Sequence, residues 1–92
     1  MQIKYTKNFL DKLENIFASS EYVLRYEKGN FKSGYCILKD TKIVVVNKYY
    51  PLDGKINTLL EIIKELNFNP QDFNDKKIQD LISELQQTVL KL

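Results

Sequence analysis

Gly29 and Gly34 stand five positions apart in Glu27-Lys28-Gly29-Asn30-Phe31-Lys32-Ser33-Gly34-Tyr35-Cys36, the spacing that opens a phosphate-binding loop. Such a loop reads G-x-x-x-x-G-K-S/T: backbone amides and a helix N-terminus hold the phosphates, the lysine reaches their oxygens and the hydroxyl holds magnesium. Here Tyr35-Cys36 take the Lys-Ser/Thr places, and β-branched and aromatic residues follow where a helix must start. Three requirements fail together. The glycines read instead as positive-φ residues at either end of a strand connection.

Other chemistry is limited by residue type. The chain has no histidine, which removes Ser-His-Asp and Cys-His nucleophile arrangements. With one cysteine besides, zinc sites built on His and Cys are removed too. Cys36, in phase with Leu38, reads as a small buried hydrophobe within a strand. Nothing singles out a lysine as base. Glu61 and Glu65 lie at i, i+4, with Asp72 and Asp75 downstream, and a hard divalent ion uses such oxygens. Lys64 between the two glutamates marks an ordinary solvated helix face, and that reading is preferred.

Residues 41–66 carry a resemblance. A strand ending in Val46-Asn47, a polar turn and a helix beginning near Lys55 resemble the segment leading into the zinc helix of small neutral metallopeptidases. The resemblance implies a shared scaffold. Where that family has His-Glu-x-x-His, this helix reads Leu60-Glu61-Ile62-Ile63-Lys64; both ligand histidines are missing, and no activity carries over.

Aromatic and basic residues interleave through Tyr22, Arg25, Tyr26 and on to Tyr50. Rings with cations on a sheet face bind single-stranded nucleic acid. Tyrosine and arginine also favour protein interfaces, and tyrosine is an ordinary strand residue. The formal charge is only +2, far from a strongly basic footprint. Residues 21–50 hold six cations against three anions, a net +3; residues 51–92 hold five against seven, a net −2.

The elements that must position these residues follow from hydrophobic spacing. Phe9, Leu10, Leu13, Ile16 and Phe17 mark one face of a helix over 6–18, with Thr6 as N-cap. Period two then takes over: Tyr22, Leu24 and Tyr26 share one face of a first strand, and Tyr35 and Ile37 alternate with Cys36 and Leu38 in a second. Ile43-Val44-Val45-Val46 is unbroken and β-branched, so both its faces are expected to be covered and a central place suits it. A simple meander would put the second strand in the middle instead; both orders stay open. A helix over 53–66 follows, with Asp53 as N-cap and Asn67 as its left-handed stop. The last, over 75–91, has Ile78, Leu81, Ile82, Leu85 and Val89 on one side. Between them, Phe68 and Phe73 should pin the 67–74 turn to the core.

The expected fold is α+β, in the order α-β-β-β-α-α, with a three-stranded antiparallel sheet covered by amphipathic helices. Ninety-two residues make a single domain spanning 1–92. No secretory signal is apparent in Met1–Phe17, and the lone cysteine suits a reducing, cytoplasmic setting.

The function expected is that of a small non-enzymatic interaction or accessory module that self-associates as a dimer or binds another protein. No cofactor, metal or membrane is expected, and nucleic acid is not the favoured partner. The expected surface comprises Arg25, Lys28, Phe31, Lys32, Tyr35, Lys48, Tyr49 and Tyr50. Phe31 there is either a contact or a plug on the end of the core. The alternatives are a carboxylate-based metal-dependent or degenerate metallopeptidase-like domain, and a weak single-strand nucleic-acid binder.

Overall fold

The computed structural model describes residues 3–28 and 34–88. In chain order these form α1 (Lys7–Ala18), β1 (Val23–Glu27), β2 (Tyr35–Leu38), β3 (Ile43–Asn47), α2 (Leu52–Leu66), a 3-10 turn (Pro70–Asp72) and α3 (Lys76–Thr88). The class is α+β, as the spacing predicts. The sheet, however, is mixed rather than antiparallel. Its order is β1-β3-β2, with β1 parallel to β3 and β2 antiparallel to it.

The reason lies in β3. Val44 and Val46 are fully buried, and a strand with that much apolar surface gains most between two neighbours. Glu27 pairs with Asn47 and Tyr35 with Val46, so β1 ends and β2 begins at the same end of the sheet, on opposite sides of β3. The connection over 28–34 therefore has to step across one strand, about 10 Å. A hairpin between β1 and β2 would have left β3 on an edge.

Register divides the sheet into two faces. Leu24, Val44 and Ile37 form one inner row, and Tyr26, Val46 and Tyr35 the next; all six belong to or pack against the core. Against them lie Leu13, Ile16 and Phe17 of α1, Ile56, Leu59, Ile62 and Ile63 of α2, and Ile82 and Leu85 of α3, all fully buried. The described residues thus form two layers, with the helices on one side of the sheet. Phe68 closes the end of this core, meeting Phe17, Tyr22 and Phe73 edge to face at centroid distances of 5.9, 6.3 and 5.7 Å. Two glutamines of α3 secure the same turn: Gln79 Nε2 donates to the Phe73 carbonyl and Gln86 Nε2 to that of Phe68.

The helix ends mostly follow expectation. Thr6 Oγ1 accepts from the Phe9 amide at 3.1 Å, and Asn67 takes the left-handed conformation, φ 50° and ψ 57°. Asp53 is not the cap of α2. The helix starts one residue earlier with Pro51 at the cap, and Asp53 in the first turn accepts from the Gly54 amide while favouring the positive end of the helix dipole.

Candidate interaction surface

The other face of the sheet has no covering layer among the described residues. Its rows are Val23, Ile43 and Leu38; then Arg25, Val45 and Cys36; then Glu27 and Asn47. The first five apolar members, with Cys36 among them, form a continuous patch around Ile43 and Val45. Val23 is 56% exposed and Leu38 45%, whereas Ile43, Val45 and Cys36 are half-buried by their neighbours. Two expectations are corrected here. β3 is central but, among the described residues, covered on one side only, and Cys36 is a half-exposed member of the open face rather than a core residue.

Ion pairs flank the patch. Arg25 Nε lies 3.0 Å from Glu27 Oε2 along β1, and Lys42 Nζ lies 3.7 Å from Glu21 Oε2 beside Val23. Both pairs are well exposed, so they set sign and position more than stability. Lys42 owes its place to the hairpin between β2 and β3, where it has φ 59°.

The eight residues expected from the sequence separate in four ways. Arg25 lies on the open face. Lys28, Lys48 and Tyr49 are exposed where β1 and β3 end, with the Lys48 ammonium 5.2 Å from the Tyr49 ring centre. Tyr35 and Tyr50 turn inward, while Phe31 and Lys32 lie outside the described residues. Tyr35, half-buried on the inner face, places its hydroxyl 3.4 Å from Glu61 Oε1. Burial, then the nearby Glu61 and Glu65 carboxylates, raise its pKa. Tyr50 packs on Gly34, which has φ 80°. Gly34 accordingly serves a strand connection, its carbonyl accepting from the Asn47 amide. Gly29 lies outside the described residues.

The remaining strand tyrosine, Tyr26, sits between α1 and α2. Its hydroxyl donates to Glu14 Oε2, and the Lys55 ammonium stands 5.3 Å from its ring centre. Burial, followed by the hydrogen bond to Glu14, raises the Tyr26 pKa strongly. With Tyr22, Tyr26 and Tyr35 all packed towards the core, the strand residues of the open face include no ring among the described residues.

Position 60 of α2 carries a buried leucine and position 64 an exposed lysine, where the metallopeptidase pattern has its histidines. Asp53, Glu61 and Glu65 are exposed along the same helix. Among the described residues no group of three His, Cys, Asp or Glu side chains is arranged to hold a metal ion. A groove of about 670 Å³ between α1 and α3 is lined by Lys12, Asn15, Ile78 and Leu81 together with Asp75, Asp80 and Glu84, and by none of Asp53, Glu61 and Glu65. No described helix is long and apolar enough to cross a membrane. Compared with models of protein families, with curated proteins and with solved structures, the chain gives no match.

Proposed function

We propose that this protein is a non-enzymatic interaction module that associates with a second copy of itself through the open face of its sheet. The observation that carries this reading is the row Val23–Ile43–Leu38 with Val45 and Cys36 behind it, apolar across all three strands and without a covering layer among the described residues. Contiguous apolar surface rimmed by charge is the usual mark of a contact site. Sheets stack about 10 Å apart, so two such faces would interdigitate into a four-layer sandwich. The rim holds both signs in equal measure through Arg25–Glu27 and Lys42–Glu21. A neutral, mixed rim suits a two-fold copy better than a strongly charged partner.

Sedimentation velocity over a wide concentration range tests this. The wild-type chain should shift from its 10.9 kDa monomer towards a dimer. Leu38→Lys and Val23→Lys, at positions already exposed, should abolish the shift while leaving the melting temperature nearly unchanged. A wild-type chain that stays monomeric at hundreds of micromolar overturns the proposal.

A further inference from the structure

We propose that the free edge of β1, with the groove between it and α1, takes an extended basic segment of a partner protein as an added strand. The parallel register directs the backbone groups of Val23, Arg25 and Glu27 towards β3; the Val23 amide donates to the Lys42 carbonyl and the Glu27 carbonyl accepts from Lys48. The amides and carbonyls of Leu24 and Tyr26 consequently point away from the sheet. They meet no partner among the described residues.

Beside this edge runs a groove of about 470 Å³, lined by Glu14 and Ala18 of α1 and by Tyr22, Leu24 and Tyr26. A strand laid along Leu24 and Tyr26 would complete their backbone bonds and drop alternate side chains into that groove. Ala18 leaves room opposite Leu24 for a small aliphatic group. Glu14 sets the charge at the next position. It is half-buried, accepts the Tyr26 hydroxyl and forms no ion pair with any described lysine or arginine. A lysine or arginine on the incoming strand would meet it there.

Charge also argues against a second copy of β1 as the occupant. Its own groove-facing residues, Tyr22, Leu24 and Tyr26, include no cation, and a two-fold junction would set two Glu14 carboxylates near one another. Adding a strand sideways leaves the open sheet face untouched, so this proposal is independent of self-association.

The test uses the full chain carrying Leu38→Lys, which removes the face-to-face contact. The probe is the synthetic peptide acetyl-Thr-Val-Thr-Lys-Thr-Val-Thr-amide, whose valines and lysine share one strand face, with a control that has glutamate for the lysine. Amide exchange read by NMR should slow at Leu24 and Tyr26 on adding the lysine peptide. Glu14→Gln should weaken that peptide roughly fivefold, the worth of one partly exposed ion pair, and narrow its preference over the glutamate control. Protection of Tyr35 or Ile37 on the opposite edge instead, no protection at all, or equal binding of the two peptides by the Glu14 protein overturns the proposal.

Discussion

The Tyr50 ring occupies the space a side chain at residue 34 would need: a Cβ built on Gly34 would lie 1.7 Å from the Tyr50 hydroxyl oxygen. With φ at +80° the position is also unfavourable for any L-residue. Gly34→Ala is therefore expected to cost about 3 kcal/mol, from backbone strain and overpacking together. Urea unfolding of Gly34→Ala, Tyr50→Ala and the double variant checks this. The double variant should lose less than the sum of the singles, because the overlap needs both groups.

Alkaline stability should depend on Tyr26. Its folded pKa lies above the ordinary phenol value of about 10, so the folded state keeps a proton that the unfolded state releases. The contribution is complete below that value and declines as pH rises beyond it. Tyr26→Phe should flatten the fall in stability between pH 9 and 11, read by urea unfolding at each pH. Tyr35→Phe should do so less, as the Tyr35 hydroxyl is held by a longer contact to an exposed carboxylate.

Cys36 reports on the open face without any substitution. It is the chain's single thiol, half-exposed between Val45 and the edge of β2. Reaction with a thiol reagent should be fast in dilute protein and slow as concentration rises. The Leu38→Lys variant should react at the dilute rate throughout. A wild-type rate independent of concentration would speak against association by this face.

Phe68 joins α1, Tyr22 at the entry to β1 and the turn before α3 through three edge-to-face contacts. Phe68→Ala should destabilise the fold by about 3 kcal/mol, towards the lower end for an aromatic because the ring is only half-buried. Phe68→Leu should cost less, keeping most of the apolar volume and losing the ring contacts. Thermal unfolding of the two variants separates packing from ring geometry.

Much of this architecture was legible from spacing. The helical stripes Phe9–Phe17 and Ile56–Ile63 became buried faces, and Tyr22, Leu24 and Tyr26 share the inner side as period two requires. The pinning of the 67–74 turn by Phe68 and Phe73 was legible too, though not the glutamines that fasten it. Strand direction was not. A stretch such as Val23–Glu27 reads the same beside an antiparallel or a parallel neighbour, and only the step across β3 sets its direction. Burial of the third strand was overestimated for a related reason: four consecutive β-branched residues show that a strand is apolar on both faces, not that this chain supplies two covers.

Of the expected surface, Tyr35 and Tyr50 could not be oriented from composition, since a tyrosine serves a core edge as well as a contact. The apolar patch could have been found by continuing the alternation. Val23, Cys36, Leu38, Ile43 and Val45 are out of phase with the core-facing residues and apolar, with only Arg25, Glu27 and Asn47 as polar members of that set in the three strands.

The position of β3 between the other two strands governs the order in which the sheet is able to form. During synthesis, β1 and β2 emerge first, yet neither is the other's neighbour in the finished sheet. A nascent chain ending before residue 43 thus holds two strands and not one native rung between them. Once β3 leaves the ribosome, its hairpin with β2 can close locally, and β1 can then dock along the far side, bringing α1 with it.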